Sequence, residues 1–194
     1  MNIMRNIRTL AIVALAVAGA MSCSSELTDN AAPVELVVTN TQNLSRLDID
    51  PATTDEECNE TVGVINMQVI PKNNRPGSTS EFTTVRVTRY RVSYRRTDGG
   101  TVVPPSFVRS IDTLILVGGT EEGSNFTVLE SDAVRRAPFV ALQPQNGGRD
   151  PETGRTVVQM DVTLEVFGET LAGDNVYDAT TFPLEFCYGC GGCS

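Results

Sequence analysis

The chain reads as an all-β protein, a single antiparallel β-sandwich of about seven strands. Three observations predict this class. Apolar and polar residues alternate at period two through separate segments rich in Val, Ile, Thr and aromatic residues. Clusters of Gly, Pro, Asn and Asp bound those segments. The one stretch with helical character, residues 131–142, is interrupted by Pro138, so at most a turn of helix is expected before the long loop QPQNGGRDPETGR.

In chain order the expected strands span residues 34–39, 62–70, 85–94, 113–117, 126–129, 156–167 and 176–186. In the third, TTVRVTRYRVSYRR, Val85 and Val87 fall on one face while Tyr90, Val92 and Tyr94 fall on the other. A β-bulge near Thr88 or Arg89 would turn both sets inward. The sixth is the clearest: Val158, Met160, Val162, Leu164 and Val166 share one face, and Gln159, Asp161, Thr163 and Glu165 share the other. One side meets a core and the other meets water. The seventh repeats the scheme with Val176, Thr180, Phe182, Leu184 and Phe186, after a hairpin loop, GETLAGDN, that carries two glycines. Neither an internal repeat nor a low-complexity block interrupts this body, which spans residues 34–187 and is long enough for a real core.

A resemblance sharpens the fold. The run VTRYRVSYRRTDGG followed by VPPSF, with TVVQMDVTLEVFGETLAGDNV near the end, resembles the third and last two strands of immunoglobulin-like or fibronectin type III-like domains in poorly characterised bacterial lipoproteins. The resemblance implies a fold and says little about activity, because this sandwich hosts unrelated roles. The chain has no Trp, so the buried Trp of antibody domains is missing, as is their core disulfide, which excludes that subfamily.

Residues 1–22 read as an export signal, with Arg5 and Arg8 as a positive start and an apolar run over 10–20 that is too short to span a bilayer. The run ends at Ala20-Met21-Ser22-Cys23, which resembles the lipobox of bacterial lipoproteins, although Ala20 stands where that pattern prefers Leu. The resemblance implies cleavage before Cys23 and lipidation of it, with the protein held on a membrane by acyl chains rather than crossing it. The alternative is an ordinary signal peptide that leaves Cys23 as a free thiol. Ser24 and Ser25 follow without an Asp in second position, which in the lipoproteins it resembles implies the outer membrane, facing periplasm or cell surface. Residues 23–33 are small, polar and Pro-terminated, a tether, and residues 188–194 form a Cys/Gly-rich tail.

Composition removes several function classes. There are no histidines, so imidazole nucleophile activation and imidazole metal ligation are excluded. A net charge of -9 over the full chain, and near -11 after removal of Arg5 and Arg8, opposes binding to nucleic acid.

The five cysteines divide into Cys23 and an even set of four, Cys58, Cys187, Cys190 and Cys193, that can pair completely. An oxidising destination favours two structural disulfides. In a sandwich of the resembled type, the loop before the second strand and the end of the seventh share a pole. This implies a bridge from Cys58 to Cys187 or Cys190, with the remaining two joined to each other, and the long bridge would contribute on the order of 4 kcal/mol. The competing readings are a metal site or cluster using Cys58 and the C-x-x-C-x-x-C tail, and a redox-active C-x-x-C, which needs a helix N-terminus or a cation to lower its thiol pKa.

Other constellations read two ways. Asp48, Asp50, Asp55, Glu56 and Glu57 form either a solvated acidic loop or a calcium site without EF-hand spacing, and Asp174 and Asp178 near the last hairpin share that ambiguity. Arg86, Arg89, Arg91, Arg95 and Arg96 make one strand basic, either as a sheet surface offset by acidic neighbours or as a contact for an acidic glycan or protein. Tyr90 and Tyr94 are expected in the core rather than in a sugar platform. No Asp/Glu spacing singles out an acid/base pair, so no catalytic residue, metal ligand or cofactor is assigned. The expected role is a non-enzymatic structural or binding module of the cell envelope, partnered by the membrane through its lipid and by an envelope protein or glycan. Its expected binding surface is the pole opposite the cysteines, built from PKNNRPGSTSE, VGGTEEGSN and GETLAGDN.

Overall fold

The computed structural model describes residues 32–40, 45–50, 61–62, 65–73, 80–123 and 126–190. They form ten strands: β1 (Val34–Asn40), β2 (Arg46–Asp48), β3 (Thr61–Val62), β4 (Ile65–Pro71), β5 (Val85–Arg96), β6 (Phe107–Ile115), β7 (Thr120–Gly123), β8 (Phe126–Thr127), β9 (Val157–Thr170) and β10 (Asn175–Cys187). The chain is all-β, with only 3-10 turns beside the strands among the described residues. A five-stranded sheet runs β2-β10-β9-β5-β6, a three-stranded sheet runs β1-β4-β7, and β3 pairs with β8. The sheets curl like half of a barrel. Every pairing is antiparallel except that of β2, which runs parallel to β10.

The period-two faces become one core. Val158, Met160, Val162, Leu164 and Val166 of β9 are fully buried, and they join Val34, Leu36 and Val38 of β1 and Ile65, Met67 and Val69 of β4 in a single hydrophobic cluster. β9 and β10 pair without interruption from Asn175↔Glu169 to Cys187↔Val157. The β5 register shifts between Val87 and Arg89 against both neighbours, which is the expected bulge. Val85 and Val87 before it and Tyr90 and Val92 after it are all buried. Gly168, expected in the hairpin loop, instead lies within β9 opposite Val87, where a Cβ would fall 2.7 Å from the Arg86 carbonyl oxygen. The loop itself is Leu171 to Asp174, closed by the Thr170 N–H on the Asp174 carbonyl at 2.8 Å.

Several boundaries differ from expectation. The strand placed at 113–117 spans Phe107–Ile115, because Leu116 begins a turn in which Gly118 takes φ 77°. β2 and β7 were not expected: three residues, or the polar TEEG, are too short to display alternation. Residues 131–142 hold two 3-10 turns, Ala133–Arg135 and Phe139–Leu142, separated by Pro138. The described residues all lie in one unit that begins at Ala32. Among them no helix is long and apolar enough to cross a membrane.

Candidate functional site

The cysteine end is built by the close of β10. Cys187 is buried and forms a disulfide with Cys190, with Cα atoms 5.9 Å apart. This corrects the expected bridge from Cys58 to one of these residues. Gly189, at φ 61°, folds the tail back on itself, so the nearest thiol meets Cys187. β2 replaces the long covalent tie, since it pairs with β10 and the Ile49 N–H donates to the Cys187 carbonyl at 2.8 Å. Cys23, Cys58 and Cys193 lie outside the described residues, as do Asp55, Glu56 and Glu57.

Asp48 is buried beside the disulfide and accepts the N–H groups of Asp50 and Gly189, each at 2.9 Å. Burial pushes the Tyr188 hydroxyl above its ordinary range, helped by its hydrogen bond to Asp50. These carboxylates disfavour a thiolate, whereas a reactive C-x-x-C needs positive potential. The disulfide also takes two of the four thiols that a metal site would use. Among the described residues, no three Cys, Asp or Glu side chains are grouped to hold a metal ion.

The β5 arginines separate by face. Arg86 grips Asp112 with two hydrogen bonds of 2.8 Å, Arg91 grips Glu165, and Arg95 pairs with Asp161. The Arg91 hydrogen bonds hold the Glu165 carboxyl below the usual carboxylate range. Arg96 points inward. Its guanidinium, 2% exposed, lies 2.8 Å from Asp98 and 2.7 Å from Asp150, whose side chains are 0% and 1% exposed. It also donates to the Val102 carbonyl at 3.1 Å. Burial pushes Asp98 up, but hydrogen bonds from Arg96 and from the backbone N–H groups of Gln159 and Gly100 outweigh it, leaving the carboxyl at about 2. This cluster clamps the loop before β9 to the end of β5.

The exposed face of the five-stranded sheet carries a row that sequence reasoning did not single out. Arg89, Phe167 and Tyr177 are register neighbours across β5, β9 and β10. The Arg89 guanidinium carbon sits 4.9 Å over the Phe167 ring, and the Phe167 and Tyr177 rings lie 5.1 Å apart. The Tyr177 hydroxyl donates to Glu165 at 3.1 Å, tying this row to the next. The signal was present, because both aromatics hold odd positions in strands whose core face is even. Tyr90 and Tyr94 behave as expected of packing residues: Tyr90 is buried and accepts the Thr127 N–H at 3.2 Å, while Tyr94 donates to the Val128 carbonyl at 2.6 Å.

Asp174 closes the hairpin, and Asp178 accepts the Val38 N–H at 2.6 Å, joining β10 to β1. A cleft of about 60 Å³ beside Tyr94, Phe107, Glu130 and Arg136 is small against the roughly 300–1,000 Å³ of ligand pockets.

The end opposite the disulfide brings together the turns around Thr84, Gly118 and Leu171, whereas Thr120–Gly123 of the second expected loop run away from it as β7 along β4. The Leu171 N–H donates to the Thr84 carbonyl at 2.9 Å and the Ala172 N–H to the Phe82 carbonyl at 3.2 Å. Val85 pairs with Ile115 on one side and Thr170 on the other, and the Gly118 N–H donates to Val69 at 2.7 Å. Pro33 leaves from this end, its carbonyl accepting the Lys72 N–H at 3.0 Å.

Comparison with protein-family models, curated proteins and solved structures finds no match to the chain.

Proposed function

We propose that this chain is a lipid-anchored protein of the bacterial cell envelope, held at the outer membrane through Cys23, whose immunoglobulin-like or fibronectin type III-like body binds or supports an envelope partner without catalysing a reaction. The export signal and the lipobox-like Ala20-Met21-Ser22-Cys23 support the anchor. Two sheets that feed one core support the sandwich plan. The binding role is carried by the row Arg89, Phe167 and Tyr177. It lies on a strand-paired, rigid surface, and Tyr177 remains 39% exposed. An aromatic pair capped by a cation suits a glycan ring or a partner's side chains. The rival reading, a metal or thiol redox protein using Cys58 and the C-terminal cysteines, is weakened by the Cys187 to Cys190 bridge and by the acidic groups around it.

Two measurements test this reading. Metabolic labelling with an alkynyl fatty acid should tag the wild type and not Cys23→Ala; an untagged wild type would remove the anchor. Sedimentation of the purified chain with isolated cell-wall glycan, or with a candidate envelope protein, should weaken by about tenfold in Tyr177→Ala, the loss of one aromatic anchor. Equal binding by this variant would move the contact elsewhere.

A further inference from the structure

We infer that the row Arg89, Phe167 and Tyr177 takes a carboxylate-bearing saccharide, with the carboxylate on the Arg89 guanidinium and a sugar ring against Tyr177. The inference rests on the reading of this row as the binding surface. Among the described residues, Arg86, Arg91, Arg95 and Arg96 of β5 each meet a carboxylate. Arg89 meets none there, and its guanidinium lies over the Phe167 ring instead. Stacking uses the face of a guanidinium and leaves its N–H edge, the fork that matches a carboxylate with two parallel hydrogen bonds. The β5 bulge delivers this charge. In an unbroken strand Arg89 would share the inward face of Val87, two residues before it, and the register shift turns it out opposite Phe167.

The surroundings select the occupant. Arg86 with Asp112, Arg91 with Glu165 and Thr163 with Thr181 already satisfy one another on the same face. A protein covering this face would desolvate those paired charges with no apolar core to offset the cost. The exposed aliphatic residues of the sheet, Val108 and Leu114, stand on β6, with β9 and β5 between them and Tyr177. A sugar ring asks for less, because it needs only the exposed Tyr177 ring for its apolar face and the free guanidinium for its charge. Adjacent strands lie about 4.8 Å apart, so the row spans about 10 Å, the scale of a disaccharide. A net charge of -9 repels a densely charged polyanion at range, so one carboxylate among neutral rings fits better than a charged tract.

The probe is hyaluronan tetrasaccharide, in which glucuronate alternates with N-acetylglucosamine. Calorimetric titration of the full purified chain compares it with its methyl ester and with chitotetraose, neither of which carries a carboxylate. The wild type should bind the acid about tenfold more tightly than either neutral probe, the effect of one charge-assisted contact. Arg89→Gln should lose that preference, and Tyr177→Ala should weaken binding of all three probes. Arg95→Gln, whose charge is paired with Asp161, should match the wild type. Far-UV circular dichroism identical to the wild type shows that each variant is folded. Equal affinity of the wild type for acid and ester, still weakened in Tyr177→Ala, overturns the carboxylate and leaves the row as a binding surface. A wild type that binds none of the probes overturns the saccharide, and if Tyr177→Ala then loses an envelope protein the row stands as a protein contact. Saccharide binding equal in Arg89→Gln, Tyr177→Ala and wild type overturns the row, and with it the reading on which the inference rests.

Discussion

Arg96 holds together the buried charge cluster at the end of β5. Its charge is buried among Asp98, Asp150 and the Val102 carbonyl, so removing it strands two carboxylates away from water. Breaking a buried pair in this way costs about 3–5 kcal/mol. Urea unfolding of Arg96→Met should show a loss of that order, whereas Arg95→Met, on the exposed face, should lose under about 1 kcal/mol. The same cluster sets an acid response. The folded-state Asp98 carboxyl sits at about 2 against an ordinary 3.8, so its contribution is complete above about pH 4 and is lost as pH falls toward 2. That shift corresponds to about 2 kcal/mol. Unfolding measured across this range should be flatter in Asp98→Asn than in the wild type. Alternation already places Arg96 on the inward face with Val92 and Tyr94. It does not identify Asp150, 54 residues away, because that partner is delivered by a loop whose path is set by packing.

The strand pair β5 and β9 shows what pattern can and cannot resolve. A change of face between Val87 and Tyr90 marks the bulge, since only an extra residue keeps both apolar sets inside. The role of Gly168 is not visible in that way. Read along the chain it is a turn residue, and only the register against β5 reveals that the backbone at Arg86 closes on its missing side chain. Gly168→Ala should therefore destabilise the fold by about 1–3 kcal/mol through backbone displacement, measured by chemical denaturation. The missed strands have a related cause. β7 and β2 lie at sheet edges, where one-sided pairing asks little of the side chains, and β6 is an edge strand whose exposed Val108 and Leu114 break the alternation.

For the whole molecule, the disulfide ties the close of β10 to the tail locally. A bridge between residues three apart closes a short loop and contributes about 2 kcal/mol, against on the order of 4 for a loop from residue 58 to the tail. Cys187→Ala with Cys190→Ala should thus cost about 2 kcal/mol in thermal or urea unfolding. Peptide mapping without reduction should find both residues in one linked peptide, and a linkage of either to Cys58 would contradict the structure. Alternation along the chain is enough for the all-β class, the inward faces of the long strands and the β5 bulge, because side-chain periodicity is a local property that burial acts on residue by residue. It also removed imidazole chemistry, because the chain holds no histidine. Only long-range packing set the turn of Cys187 to Cys190, the meeting of Arg96 with Asp150, and the row that Phe167 and Tyr177 share with Arg89. Each of these depends on register and loop path between segments far apart in the chain, and alternation carries no information about which strand lies beside which.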